Sequence, residues 1–111
     1  MLITHRSIDA IDIVELEGRL VMADAPEARQ QLKSIIEQGH GKLIVDLKGV
    51  GFMDSSGLSV LISAYKAMRA KQGDMVLLNL SPPVQSLIEL TRLQQVFEIF
   101  SDESAAIAHL G

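Results

Sequence analysis

The chain has 111 residues, of which 48% are hydrophobic and 22% charged, the balance of a globular domain rather than a disordered chain. Its 14 acidic and 10 basic residues give a net charge of −4, opposite in sign to the charge of a general nucleic-acid binder. The absence of cysteine excludes disulfides, thiol catalysis and cysteine metal sites. We therefore predict a single domain over residues 1–111 with no direct nucleic-acid partner.

The N-terminal segment, MLITHRSIDAIDIVELEG, carries acidic residues where a signal peptide needs its apolar core. No window approaches the ~18 uninterrupted apolar residues of a membrane-spanning helix. The sequence thus predicts a cytoplasmic protein that has no membrane partner.

The first elements are predicted to be two short strands, residues 2–8 and 11–18, joined in a hairpin at Asp9-Ala10. Ile13 and Val14 are adjacent apolar residues and break the strict alternation of a half-buried strand. This pair indicates either a bulge or a strand buried on both faces.

A helix is predicted to follow, opened by Asp24 as its cap with Glu27 three positions later, as in a capping box. Glycines on both sides of His40 end it. Its apolar residues recur at helical spacing on one stripe. The stripe consists of Ala25, Ala28, Leu32, Ile35 and Ile36.

A near-continuous apolar run over residues 43–47 predicts a strand covered on both faces. Residues 49–57, GVGFMDSSG, are rich in turn formers and are predicted to form a loop. The clearest helical stripe of the chain comes next. It consists of Leu58, Leu61, Ile62, Tyr65 and Met68.

Residues 75–80 predict another buried strand, and a helix follows with Ser81 as cap and Pro82 at its first position. The stripe of that helix is predicted to be Val84, Leu87, Ile88 and Thr91. A last strand over residues 96–100 and a closing helix from residue 101 complete the chain. The order β-β-α-β-α-β-α-β-α predicts an α/β fold with a mixed, mostly parallel sheet and about four helices.

Most enzyme signatures are missing from this sequence. His5, His40 and His109 have no ligand partner at metal-binding spacing, and neither a phosphate-binding glycine loop nor a GxSxG elbow occurs. Asp46 and Asp54 bracket one loop, but hydrolysis by such a pair would also need a cleft and a substrate anchor. We therefore predict no enzymatic activity, no catalytic residue and no metal site.

The junction at Asp54-Ser55-Ser56-Gly57 has two interpretations. In the first, Asp54 or Ser55 is an ordinary helix cap whose side chain satisfies free backbone amides. In the second, the junction is a binding site, because a hydroxyl at a helix N-terminus is well placed to hold a phosphate. Gly57 would then let another molecule approach the backbone.

Phe52 and Met53 precede this junction and could form a contact patch, although burial in the core is the more ordinary role for Phe52. Together with the junction they define a candidate partner-binding loop. That loop comprises Phe52, Met53, Asp54, Ser56, Gly57 and Ser59.

The segment VDLKGVGFMDSSGLSVL, residues 45–61, resembles the signature of the anti-sigma-factor antagonists, the small bacterial STAS domains. Weaker similarities extend over essentially the whole chain. They are Gly18-Arg-Leu20, Ala25-Pro26-Glu27, Gly73-Asp-Met-Val76 and Ser81-Pro-Pro-Val84.

The resemblance implies a STAS-like fold and a phosphorylation switch. The unphosphorylated protein would bind an anti-sigma factor that is also a serine kinase, and the displaced sigma factor would direct transcription. The kinase would phosphorylate Ser55, which releases the complex, and a serine phosphatase would reset it. The chain would need no cofactor, because ATP and Mg²⁺ would belong to the kinase.

The sequence departs from the family pattern at two positions. Val21 stands directly after Gly18-Arg-Leu20, where family members commonly carry Asp, and Asp24 lies three positions further on. Ser59 stands where Gly is frequent, which alters the helix surface that would face a partner. Neither departure touches the acceptor, Ser55.

Two alternatives use the same fold. In one, the same phospho-switch acts on a target other than a sigma factor, in secretion or metabolic regulation. In the other, the domain binds a small molecule or stabilises an assembly without phosphorylation. The intact Asp54-Ser55-Ser56-Gly57 motif disfavours the second, because a scaffold has no need of an acceptor hydroxyl.

Overall fold

A computed structural model describes residues 1–111 and contains one five-stranded sheet with the strand order β1-β2-β3-β4-β5. β1 and β2 are antiparallel, and every later pair is parallel. The strands are β1 (Leu2–Ile8), β2 (Ile11–Leu20), β3 (Lys42–Met53), β4 (Asp74–Leu78) and β5 (Glu98–Phe100). The helices are α1 (Ala25–Gln38), α2 (Ser55–Ala70), α3 (Pro82–Leu90) and α4 (Glu103–Leu110). The predicted order and the mixed sheet are confirmed.

Helices cover both faces of the sheet. α1, α2 and α3 pack on one face around a core of 22 buried residues, and α4 covers the other face around a core of 7. Ile13 and Val14 are both fully buried because each points into a different core. β2 is therefore buried on both faces at this point, and its register shifts lie further on, after Glu15 and after Gly18.

The hairpin between β1 and β2 turns at the predicted residues. Asp9 and Ala10 have φ values of 50° and 67°, as a two-residue turn between antiparallel strands requires. The paired register runs from Leu2 opposite Glu17 to Ile8 opposite Ile11. The predicted hairpin is confirmed, although neither turn residue is glycine.

The predicted loop over residues 49–57 is wrong, because β3 continues through it to Met53 and α2 begins at Ser55. The additional residues pair with the end of β2, which extends to Leu20 and places Leu20 opposite Met53. Pairing with a neighbouring strand thus overrides the turn preference of Gly49, which lies opposite Glu17, whereas Gly51 falls at the register shift between Val50 and Phe52. The junction before α2 is a single residue, Asp54.

Two of the predicted helix caps do not form. The Asp24 side chain makes no capping hydrogen bond, so there is no capping box, and its carboxylate lies 3.8 Å from the N-terminal ammonium group. The Ser81 hydroxyl does not cap its own helix but donates to the Val50 carbonyl at 2.6 Å. Each of the two side chains thus interacts with a group outside the helix that it was predicted to cap.

The later boundaries also shift. β4 ends at Leu78 and β5 begins only at Glu98, because a short 3₁₀ turn, Leu93–Gln95, precedes it. Thr91 does not belong to the buried stripe of α3. It is exposed at the end of that helix, where its hydroxyl donates to the Leu87 carbonyl at 2.8 Å. No helix has both the length and the apolar character needed to span a membrane.

Candidate functional site

Asp54 connects three elements at the carboxyl end of β3. Its Oδ1 accepts a hydrogen bond from the Gly57 amide at 3.0 Å, which caps α2. Its Oδ2 accepts from the Met22 amide at 3.1 Å, and its own amide donates to the Leu20 carbonyl at 3.4 Å. Asp54 therefore fixes the start of α2 against the segment that follows β2.

The carboxyl group of Asp54 is held in its charged form. The Gly57 amide is the main cause, and with smaller contributions from neighbouring amides, including that of Met22, it keeps the Asp54 pKa below its ordinary value despite some desolvation. The carboxylate is consequently ionised at neutral pH. It places one negative charge directly before Ser55.

Ser55 is exposed and is the first residue of α2. The side-chain hydrogen bonds of this junction are made by Asp54 and Ser59, and the Ser55 hydroxyl takes no part in them. Ser56 is half-buried, and its carbonyl accepts from the Ser59 hydroxyl at 2.7 Å. Of the two adjacent serines, Ser55 is the more accessible and Asp54 is the cap.

Gly57 is buried against the end of β2. A Cβ at this position would overlap the Leu20 carbonyl oxygen and lie 2.7 Å from the Met53 Cγ. The prediction that Gly57 admits another molecule is therefore wrong, because its own chain occupies that space. The glycine allows β2 and α2 to pack closely, which positions Ser55.

Phe52 and Met53 lie on opposite sides of the strand. Met53 is 5% exposed and belongs to the core, so its predicted place on a contact surface is wrong. Phe52 is 45% exposed, which fits its place on the candidate partner-binding loop and not burial in the core, and the Arg19 guanidinium lies 5.4 Å from its ring centroid. Met22, which sequence reasoning missed, is 72% exposed. Phe52 and Met22 thus flank Asp54 as exposed apolar side chains.

Ser59 lies one turn after Ser55 and connects α2 to α1. Its hydroxyl donates to the Ser56 carbonyl and accepts from the Arg29 Nη2 at 3.0 Å. Sequence reasoning selected Ser59 but missed Arg29. The only signal for Arg29 was its place off the apolar stripe of α1.

The Asp24 carboxylate lies 3.8 Å from the N-terminal ammonium group and makes no capping hydrogen bond. Val21 is half-buried, and its carbonyl accepts from the Asp24 and Ala25 amides at 2.9 and 3.1 Å. Neither side chain takes part in the hydrogen bonds at the start of α2, which go to Asp54. Asp54 is the carboxylate of the junction.

The other candidate groups lie elsewhere. Asp46 is almost fully buried and accepts from the Lys48 amide at 2.9 Å, so it shares no hydrogen bond with Asp54. His5 pairs with Asp12 at 2.7 Å, and no three His, Cys, Asp or Glu side chains are grouped to hold a metal ion. The cavity of about 620 Å³ beside Asn79 and Phe100 does not include the junction.

Comparison with known proteins matches residues 3–106 to the family model described as STAS domain. The chain is 32% identical over 99 residues to the anti-sigma F factor antagonist of Paenibacillus polymyxa, covering 88% of this chain and 85% of that protein. It is 35% identical over 97 residues to the anti-sigma-B factor antagonist of Listeria monocytogenes, covering 87% and 84%.

The fold is shared with solved structures of the anti-sigma factor antagonist SpoIIAA. The unphosphorylated form has a TM-score of 0.83 at 24% identity, with 97% of this chain and 95% of that chain covered. The phosphorylated form, from Bacillus, has a TM-score of 0.77 at 21% identity, with coverage of 99% and 100%. At this identity the likeness shows the fold.

Proposed function

Because the chain belongs to the STAS domain family, we propose that it is a partner-switching regulator of the anti-sigma-factor antagonist type. Its unphosphorylated form binds an anti-sigma factor that is also a serine kinase, and a sigma factor is freed. Phosphorylation of Ser55 releases the complex, and a serine phosphatase restores the binding form. The chain itself is a substrate and a ligand, not an enzyme, and it acts in the cytoplasm.

The observation that carries this proposal is the exposed Ser55 hydroxyl at the start of α2, free of the hydrogen bonds around it. A kinase must reach the hydroxyl and align it with a phosphoryl donor, which a free side chain on a rigid helix end permits. Ser56 is half-buried by comparison. This difference in exposure supports Ser55 as the acceptor. In this proposal ATP and Mg²⁺ belong to the kinase.

Phe52 and Met22 supply the apolar part of the partner surface. Both side chains are exposed beside Asp54, at 45% and 72%. Exposed apolar side chains next to a polar rim are typical of protein contacts. A partner seated here covers Ser55 as well, which couples binding to the state of the hydroxyl.

The switch works through charge at the covered surface. A phosphate adds a charge of about −1.5 to −2 beside Asp54, which is already ionised. A partner that fits the unphosphorylated surface must desolvate or neutralise this additional charge. A loss of only ~2.7 kcal/mol weakens binding about a hundredfold, which is enough to dissociate a micromolar complex.

The test is affinity capture from the native cell with the full chain as bait, followed by incubation with the captured kinase and ATP and by mapping of the phosphorylated peptide. Ser55→Ala and Ser56→Ala are the matched variants. We expect Ser56→Ala to be phosphorylated and Ser55→Ala to resist. Phosphate on Ser56 alone, or phosphate that persists in Ser55→Ala, contradicts the assignment.

The identity of the captured proteins distinguishes the alternatives. A kinase that also binds a sigma factor supports the proposal. A kinase associated with a secretion or metabolic component indicates the same switch on another target. Recovery of a stable assembly with no kinase indicates a scaffold.

A further inference from the structure

Arg29 is a cation without an acidic partner. Its guanidinium lies on α1, it is exposed, and its one side-chain hydrogen bond goes to the neutral hydroxyl of Ser59 at 3.0 Å. The ion pairs of the chain involve other residues. The nearest basic residue along α1, Lys33, already pairs with Glu37 at 4.0 Å.

Ser59 places this cation one helical turn from Ser55. Residues four apart on a helix lie on the same face, with about 5–6 Å between their Cβ atoms. The Ser59 hydroxyl is itself fixed, because it donates to the Ser56 carbonyl at 2.7 Å and accepts from Arg29. The guanidinium therefore lies beside the face of α2 from which the Ser55 side chain projects.

We propose that Arg29 is the internal counter-ion of phosphorylated Ser55: the guanidinium exchanges the Ser59 hydroxyl for the phosphate and ties the start of α2 to α1. This inference rests on the proposed function, which makes Ser55 the modified residue. Arginine binds phosphate through a planar pair of N–H donors, and hydrogen bonds between charged groups are stronger than those to a neutral hydroxyl. Arg29 acts as a positioning residue and takes part in no covalent step.

The charges around the phosphate oppose one another. Asp54 is ionised directly before Ser55 and disfavours a dianion there, whereas Arg29 favours it. Without Arg29 the phosphate would meet mainly the carboxylate and the free amides of the helix end. With Arg29 the phosphate gains a partner from a second helix and a fixed direction.

The experiment installs phosphoserine at position 55 of the full chain during translation, so that no kinase is needed, and follows the phosphate by phosphorus NMR through a pH titration. Arg29→Gln removes the positive charge, and Arg29→Lys keeps the charge but lacks the paired N–H donors of the guanidinium. Lys33→Gln is the control, because it removes an equal charge one helical turn away on α1. An amide correlation spectrum of each variant confirms that the fold is intact.

We expect the second phosphate pKa, ordinarily about 6, to be higher in Arg29→Gln than in the parent by about half a unit. Arg29→Lys should lie between the two, and Lys33→Gln should stay within about 0.2 units of the parent. Equal pKa values in the parent and Arg29→Gln overturn the inference, and so do equal shifts in Arg29→Gln and Lys33→Gln. A failure of the kinase to modify Ser55 refutes the proposed function and leaves this titration interpretable.

Discussion

Asp54 has two roles at once, as the cap of α2 and as the tie to the segment after β2. One carboxylate oxygen accepts from the amide of Met22, which is 32 residues away in the sequence, and the other accepts from the amide of Gly57, which is three residues away. The first bond is tertiary and the second is local. The same side chain therefore orders Ser55 and supplies the charge beside it.

Replacing Asp54 separates these roles. Asp54→Ala removes both acceptors, and we expect a melting temperature lower by roughly 5 °C at pH 7, since loss of a helix cap is a mid-sized effect in a small domain. Asp54→Asn keeps one acceptor oxygen and should lose less. Thermal unfolding followed by circular dichroism measures both variants.

The same comparison has a pH dependence with a defined sign. The folded Asp54 pKa is depressed, so the stability contributed by its charge is present above the ordinary value of 3.8 and is lost as pH falls through the lower folded value. The difference in melting temperature between the parent and Asp54→Asn should therefore become smaller as the pH falls below 3.8. A difference that stays constant with pH would show that the charge of Asp54 contributes nothing to stability.

Gly57 is required because two backbones meet there. Gly57→Ala places a Cβ against the Leu20 carbonyl, and we expect destabilisation of about 1–3 kcal/mol, although alanine is the better helix former. Gly51→Ala is the matched control, because open space surrounds a Cβ at that position. Denaturant unfolding compares the two variants, and equal stability would refute the close-packing role of Gly57.

The sequence could predict Asp54 and Ser55, since both lie in one contiguous motif before a clear helical stripe. The motif could not show what Gly57 contacts, because Leu20, the residue that it packs against, lies on β2 far away in the sequence. For a similar reason Met53 was wrongly placed on the contact surface, and Phe52 could not be assigned firmly to the surface or to the core. Their exposure depends on which side of β3 each faces, and the sequence had not indicated that β3 reaches them.

At the scale of elements, strand pairing decides the boundaries that local preference leaves open. The apolar stripes of the helices and the hairpin could be read from periodicity. The length of β3 could not, because Gly49 and Gly51 favour a turn and the strand continues only because Gly49, Val50, Phe52 and Met53 pair with β2. The absent caps at Asp24 and Ser81 have the same origin, a partner supplied by tertiary structure.

The hairpin turn offers a test of backbone strain. Ala10 has a φ of 67°, a conformation that costs alanine roughly 1 kcal/mol and glycine almost nothing. Ala10→Gly should therefore stabilise the chain by about 0.5–1 kcal/mol. Ala105→Gly, the same change at an exposed helical position, should destabilise it by up to about 1 kcal/mol. Shifts of the same sign in both variants would contradict the turn geometry.

At the scale of the whole molecule, the junction lies outside the core that holds the sheet and helices together. Ser55 is exposed, and the 22 buried residues of the larger core do not include it. A phosphate at the start of α2 is favoured by the helix dipole and opposed by Asp54. The two effects partly cancel in their influence on folding.

Phosphorylation should therefore leave the fold unchanged. We expect the far-ultraviolet circular dichroism of the phosphorylated chain to match that of the free chain, with a melting shift of only a few degrees. The unmodified Ser55→Ala chain, carried through the same kinase treatment, is the control. Loss of helical signal on phosphorylation would show that the switch acts by unfolding.

The most direct measurement of the central claim is the calorimetric affinity of the captured kinase, held without turnover, for four forms of the chain: unmodified, phosphorylated, Ser55→Ala and Ser55→Asp. We expect the unmodified chain and Ser55→Ala to bind equally and the phosphorylated chain to bind about a hundredfold more weakly. Ser55→Asp should fall between them, because one charge on two oxygens imitates phosphate poorly. Equal affinities of the unmodified, Ser55→Asp and phosphorylated chains would contradict the account and leave Ser55 as an ordinary residue at the start of a helix.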